Sequence, residues 1–269
     1  MLSTLGILTL MLTVEKASAA TPPVGLGTAT GYAVLAGSTI TNTGNSVVNG
    51  DLGLSPGTAV TGFPPGVLNG VEHTADAEAL QAKSDLSVAY DDAAGRTPAT
   101  SVAAELGGNT FAPGVYVGNT LGLTGTVTLD AGGDPDAVFV FQTNTTLITA
   151  SNSSVVLLGD ANVCNIYWQV GSSATLGTDT NFVGTIMASE SISANTGAVV
   201  EGRLLALNGA VTLDDNVIDR PMCETLPPGS TTTSEVGATT TSEVGATTTS
   251  EVGATTTSEV GATTTSEVG

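Results

Sequence analysis

One histidine, His73, stands in this chain of 269 residues, so a Ser/His/Asp relay has a single place where it could be built. His73 precedes a helical stretch and is read as a capping or hydrogen-bonding residue at the helix entrance. No run of Cys and His has the spacing of a zinc site. Asp130, Asp134 and Asp136 offer the oxygen ligands that Ca2+ takes, but their Gly- and Pro-rich setting reads as a charged turn. The glycine-rich stretches lack the lysine and the strand, loop and helix order of a phosphate loop. Trp168 lies in an apolar run and is read as a core or ladder residue rather than a sugar platform. What recurs is the small hydroxyl. It appears in Thr145-Thr146-Leu147-Ile148-Thr149, Ser173-Ala174-Thr175-Leu176, Ser191-Ile192-Ser193 and Ala210-Val211-Thr212-Leu213. A hydroxyl both donates and accepts hydrogen bonds, and no bond chemistry is implied. The reading is therefore of a binding protein, not an enzyme, with no catalytic residue, metal or cofactor assigned.

The elements that must position these hydroxyls are short strands. Between residues 101 and 220, apolar runs such as Val138-Phe139-Val140-Phe141 and Ile166-Tyr167-Trp168 are closed by Gly, Asn, Thr, Ser or Asp. Phe182-Val183-Gly184-Thr185-Ile186-Met187-Ala188 aligns with Val200-Glu201-Gly202-Arg203-Leu204-Leu205-Ala206, an offset of 18 residues from Gly184 to Gly202. A turn-rich apolar repeat of that length suits one coil of a β-solenoid. Strand alternation then points Val127, Leu129 and Ile192 inward and Thr126, Thr128 and Thr212 outward. One segment breaks the pattern. Residues 74–94 contain no Gly or Pro, and Ala79, Ala82, Leu86, Ala89 and Ala93 keep helical spacing. Thr74 is taken as the N-cap, and Gly95 and Pro98 stop the helix. Twenty-one residues span about 31 Å. Six coils stacked at about 4.8 Å span about 29 Å, so the helix can cover one side of a six-coil solenoid.

Residues 1–19 read as a secretion signal: an apolar run from Leu5 to Val14 precedes the small-x-small site Ala17-Ser18-Ala19. A short membrane anchor is the rival reading. Residues 20–224 are expected to form the folded domain. Residues 225–269 carry the repeat Thr-Thr-Thr-Ser-Glu-Val-Gly-Ala and read as a disordered stalk, since they hold too little apolar surface to offset ordering. The whole chain has 5 basic and 25 acidic residues. Removing Lys16 and Glu15 with the leader leaves Lys83, Arg96, Arg203 and Arg220 against 24 carboxylates. That balance excludes nucleic acid as a partner, because phosphate contacts need clustered Lys and Arg. In an exported chain, Cys164 and Cys223 suggest one disulfide; two buried free thiols are the alternative.

Several segments together resemble the DUF3494-type ice-binding family. They include Tyr32-Ala33-Val34-Leu35-Ala36, Gly50-Asp51-Leu52-Gly53-Leu54-Ser55-Pro56-Gly57, Leu106-Gly107-Gly108, Pro113-Gly114-Val115-Tyr116, Ile166-Tyr167-Trp168-Gln169-Val170-Gly171 and Gly202-Arg203-Leu204-Leu205-Ala206. The resemblance covers about residues 25–220. It implies a mostly β fold: a discontinuous right-handed β-helix of triangular section, with one long α-helix alongside and N- and C-terminal coils interleaved in space. It also implies an ice crystal surface as the partner of one flat face. Gly62 to His73 is too short for the capping subdomain that some members insert before the helix.

An ice face has to be flat, weakly charged and repetitive. Thr suits it, since β-branching stiffens the side chain and less entropy is lost on adsorption. The candidate ice-binding residues are Thr146, Thr149, Thr175, Ser191, Ser193 and Thr212. Thr58, Thr61 and Asn152 are secondary candidates, from the Thr-Ala-x-Thr and Thr-Ala-x-Asn patterns at residues 58–61 and 149–152. Asp214 and Asp215 lie next to this set and count against it. The rival function is a cell-surface adhesive module that binds polysaccharide, cell wall or a partner through the same face. A third, a β-helix lyase, needs clustered Asp and a basic residue in one groove. No small-molecule substrate is expected, and the protein is taken as a secreted monomer.

Overall fold

The computed structural model describes residues 21–223. The leader expected at residues 1–19 and the stalk expected at 225–269 lie outside the described residues.

A 3-10 turn at Gly27–Gly31 leads into β1 (Tyr32–Ala36), β2 (Thr39–Thr43) and β3 (Val47–Asn49). A second coil follows: β4 (Asp51–Leu54), β5 (Ala59–Thr61) and β6 (Val67–Asn69), after which β7 (Glu72–Thr74) begins a third. The chain then leaves the stack as α1 (Ala77–Gly95) and returns through β8 (Thr100–Ser101) and β9 (Thr110–Phe111). Two full coils are β10 (Gly114–Gly118), β11 (Leu121–Leu123) and β12 (Thr126–Asp130), then β13 (Phe139–Thr143), β14 (Leu147–Thr149) and β15 (Ser154–Leu158). The last coils run through β16 (Ile166–Val170), β17 (Ala174–Leu176), β18 (Asn181–Ala188), β19 (Ile192–Ala194), β20 (Val199–Ala206), β21 (Val211–Asp214) and β22 (Val217–Asp219).

Stacked, these strands make a three-sided parallel β-helix. The helix face runs β8-β10-β13-β16-β18-β20-β1-β4-β7. The hydroxyl face is a separate sheet of seven strands, β11-β14-β17-β19-β21-β2-β5. The valine face holds β9, β12, β15, β18, β20, β22, β3 and β6. The helix and valine faces share one sheet because β18 and β20 each run round a corner. The 18-residue repeat is one coil: Asn181 to Ala188 pair residue for residue with Val199 to Ala206. Glycine is required at that corner, since a Cβ on Gly202 would lie 1.9 Å from the Gly184 carbonyl oxygen.

The order of coils in space is not their order in the chain. β1, β2 and β3 pair with β20, β21 and β22, so the first coil is laid onto the last. Backbone bonds cross this seam, among them Asp215 N–H to Thr43 O at 3.0 Å and Arg220 N–H to Asn49 O at 3.0 Å.

The interior is filled by in-register columns. Tyr116, Phe141, Trp168, Ile186, Leu204, Val34 and Leu52 form one, with Phe141 stacked on Trp168 at 4.3 Å between ring centroids. Trp168 is 1% exposed, the core residue its apolar run suggests. Outside the stack, Ala82, Leu86, Ala89 and Ala93 pack on Val140, Tyr167, Met187, Leu205 and Leu35. The small alanines permit that close approach. Gln142 satisfies the C-terminal end of α1, donating to Ala93 O at 2.7 Å and Arg96 O at 3.1 Å. Lys83 reaches the carbonyls of Ala206 and Leu207, and burial pushes its ammonium down to about 8.

Two expectations are corrected. The helix starts at Ala77 with Asp76 as its N-cap, whose side chain accepts from Ala79 N–H. Thr74 cannot serve, because it belongs to β7 and Ala75 takes a left-handed backbone at φ 53. The hydroxyl face stacks seven strands, one more than the six coils estimated from helix length. His73 does make the hydrogen bond expected at the helix entrance, 2.8 Å from Asp76. Cys164 and Cys223 are joined in a disulfide across 59 residues of chain. Closing a loop of that size stabilises by about 4 kcal/mol in the chain-entropy picture.

Asp85 fastens the 3-10 turn to the helix by accepting from both the N–H and the hydroxyl of Thr28, each at 2.7 Å. Those bonds hold its carboxyl below the usual carboxylate range, and the Ala79 amide does the same for Asp76. Both groups stay ionised in the fold to lower pH than in the unfolded chain. Their stabilisation is thus complete above about pH 4 and lost as pH falls through the lowered folded values. Asp85→Asn should lower the melting temperature at pH 7, and the gap to wild type should close as the melts are repeated at increasingly acid pH.

Candidate functional site

The three faces have different surfaces. The helix face is covered by α1. On the valine face, Thr126, Ser154, Asn181, Val199, Val217, Val47 and Val67 stand in one outward row. A second row there carries Glu201, Asp219, Asn49 and Asn69. Across its seven strands the central row of the hydroxyl face reads Gly122, Ile148, Thr175, Ser193, Thr212, Thr41, Thr61, with no charged side chain, and Glu105, bridged to Gly122, stands beyond its end. Backbone pairing stacks a parallel row, Thr146, Ser173, Ser191 and Ala210, one turn of the pleat away. Rungs repeat at about 4.8 Å along the axis, and the two rows lie about 6.6 Å apart.

The central hydroxyls are free. Thr175, Ser193, Thr212, Thr41 and Thr61 are part or fully exposed, and none makes a side-chain hydrogen bond among the described residues. In the second row Ser191 spends an acceptor on Ala210 N–H at 3.1 Å and Ser173 on Ser191 N–H at 3.3 Å. Asp214 and Asp215 are held at the rim: Asp214 accepts from the Thr196 hydroxyl, and Asp215 accepts from Asn45 N–H at 2.6 Å.

Of the sequence candidates, Thr146, Thr175, Ser191, Ser193, Thr212 and Thr61 come together on this face. Thr149 does not. It is 3% exposed and points into the stack, where its Oγ1 meets Thr180 Oγ1 at 2.9 Å and accepts from Gly177 N–H at 2.8 Å. It sits one residue from Ile148, so the pleat turns it inward. Ala194 is buried for the same reason. Asn152 takes a left-handed turn at φ 58 between β14 and β15, off the face, and Thr58 lies at the rim before β5. Thr39, Thr41 and Thr43 were missed. Their alternation in Thr39-Ile40-Thr41-Asn42-Thr43 carries the outward hydroxyl signal, but chain order hides that β2 lies between β21 and β5. Asp130 and Asp134 are committed to their own turns, accepting from Gly132 N–H and Asp136 N–H.

A parallel β-helix with one covered face and one flat, uncharged ladder of hydroxyls belongs to the class of solenoids that bind extended surfaces. Residues 34–219 match the Ice-binding-like family, and the chain belongs to that family. It is 50% identical over 206 residues to an ice-binding protein of Nostoc sp. (strain HG1), covering 75% of this chain and 76% of that one. It is 37% identical over 215 residues to an ice-binding protein of Colwellia sp, covering 74% and 84%. Among solved structures it is similar to an ice binding protein from an Antarctic biological consortium, with a TM-score of 0.74 and 49% identity over 77% of this chain and 95% of that one. An ice-binding protein of the Antarctic ascomycete Antarctomyces psychrotrophicus gives a TM-score of 0.72 and 42% identity, over 74% and 98%.

The two kinds of threonine are separable by measurement. Thr149→Val leaves the buried Gly177 N–H without its acceptor and should cost about 1–3 kcal/mol in chemical denaturation. Thr175→Val should stay within about 0.5 kcal/mol of wild type.

Proposed function

We propose that the chain adsorbs to ice through its hydroxyl face and so inhibits ice growth and recrystallisation. Thr175, Ser193, Thr212, Thr41 and Thr61 form the contact row, with Thr146 and Ser191 beside them. The observation that carries this reading is the uncharged row of unpaired hydroxyls held in register by backbone pairing. Such rungs are already ordered, so adsorption loses little side-chain freedom. The family relatives named as ice-binding proteins support it. The reading includes export, in keeping with a disulfide that an oxidising compartment maintains. A polysaccharide site would call for exposed aromatic rings, whereas Trp168 is 1% exposed. A lyase would need basic groups in a groove, whereas Arg203 is 1% exposed and donates to the carbonyls of Thr30 and Pro221.

The test is thermal hysteresis and recrystallisation inhibition by the purified chain. Thr175→Tyr with Thr212→Tyr, which raises two rings above the plane, should abolish most of the activity while the melting temperature barely moves. Val47→Tyr on the valine face should leave activity intact. No activity in the wild type at high concentration, or equal loss in both variants, would sink this reading.

A further inference from the structure

The disulfide between Cys164 and Cys223 sits in an uneven setting. Both cysteines are part-exposed, so a small thiol can reach the bond. A guanidinium stands at one sulfur only: Arg203 Nη2 lies 3.6 Å from Cys223 Sγ. Among the described residues no side chain donates to Cys164 Sγ. The polar contacts of Cys164 run through its backbone, with its N–H on Asn162 Oδ1 at 3.0 Å and its carbonyl accepting from the Tyr167 hydroxyl at 2.8 Å. We propose that this bond is a thiol-exchange site, where an external low-molecular-weight thiolate adds to Cys164 and Cys223 leaves as a thiolate beside Arg203.

The chemistry balances as two exchanges. The external thiolate forms a bond to Cys164 Sγ, the bond between the cysteines breaks, and its electron pair departs on Cys223 Sγ. Cys164 then carries the mixed disulfide, and Cys223 takes a proton from solvent. A second thiolate attacks the added sulfur and releases Cys164, so the protein gains two electrons and the two external thiols become one disulfide. Of the two sulfurs that could leave, the one with the lower thiol pKa leaves faster, and a neighbouring guanidinium lowers it.

Arg203 is suited to that task. It is 1% exposed and has no carboxylate partner, since the ion pairs among the described residues are His73–Asp76 and Arg96–Asp92. Its other contacts are neutral: the carbonyls of Thr30 and Pro221 at 3.2 and 3.1 Å, and the Thr185 hydroxyl at 3.4 Å. Burial, then the nearby Arg220, push the guanidinium down to about 10, which leaves it charged at neutral pH. A desolvated cation without a counter-ion gains from an anion that appears beside it. The negative charge arriving on Cys223 Sγ is that anion.

The two cysteines also differ in what holds them. Cys164 belongs to the 3-10 turn Val163–Asn165, capped by Asn162 and tied through Asn165 Nδ2 to Pro135 O at 3.3 Å. Cys223 lies beyond the last strand. Among the described residues the final backbone bond from its segment to the stack is Arg220 N–H to Asn49 O at 3.0 Å. Exchange therefore leaves the adduct on a fixed coil and frees the segment after β22. The ladders of the hydroxyl face are not touched.

The experiment treats the native full chain with reduced glutathione, quenches it in acid at successive times and alkylates the free thiols. Peptides are then mapped after cleavage at glutamate, because Glu190 and Glu201 fall between the two cysteines. The expected result is glutathione on Cys164 and the alkyl group on Cys223 at the earliest times, in a ratio of about three to one or more. Arg203→Met should slow the opening at least about threefold and remove the preference, whereas Arg203→Lys, which keeps a charge there, should retain most of it. Equal sharing, or glutathione chiefly on Cys223 of the wild type, would overturn the proposal whether or not the variants fold. So would a bond that opens only at the rate of global unfolding, or an unchanged ratio in a folded Arg203→Met. The readout is mass alone, so it stands apart from ice adsorption.

Discussion

Everything in this molecule rests on the seam where the first coil is laid onto the last. β2 and β21 supply adjacent rungs of the hydroxyl face although 170 residues separate Asn45 from Asp215, which bond across the joint. Without that pairing Thr41 and Thr61 would belong to one fragment and Thr175, Ser193 and Thr212 to another. The seam closes through backbone ladders on all three faces, with Asn216 N–H on Ser46 Oγ and Arg203 on Thr30 O as side-chain ties. A parallel ladder does not specify its own register. Here Gly37 allows the close approach, since a Cβ on it would lie 2.6 Å from the Leu207 and Asn208 carbonyl oxygens, and the inward columns of Leu, Ile and Val set the level of each coil.

The helix complements the seam. It leaves at one end, crosses the coils and delivers the chain to the other, which is what permits winding to resume and end beside its starting point. In doing so it covers one face, and its own polar ends are satisfied by Asp76 and Gln142. Division of labour among the faces follows. One side is spent on burying α1, one tolerates stacked carboxylates, and one is left plain enough for an extended contact.

Much of the fold was legible because its signals are local. The Gly184 to Gly202 repeat was one coil, the Ala79 to Ala93 stripe was the buried side of the helix, and alternation placed Val127, Leu129, Ile192 and Thr212 correctly. The site was legible only in part. Strands of three residues give alternation little length to act on, so Thr149 was set on the surface when it lies one step past an outward Ile148. Thr41 was overlooked because adjacency across the seam is a property of the closed stack, not of neighbouring letters. Helix entry was misplaced by two residues because both Thr74 and Asp76 can cap, and only the turn at Ala75 decides between them.

The position of the disulfide has a mechanical meaning. Cys223 follows β22 on the valine face, and its partner Cys164 stands just ahead of β16, three coils earlier in the chain. Tension on the C-terminal side of Cys223 is therefore transmitted through the sulfur link into the middle of the longest uninterrupted run of coils. It does not peel β22 away strand by strand. Cys223 itself lies near the corner between the valine and helix faces, beside Arg203, on the side of the stack away from the hydroxyl face.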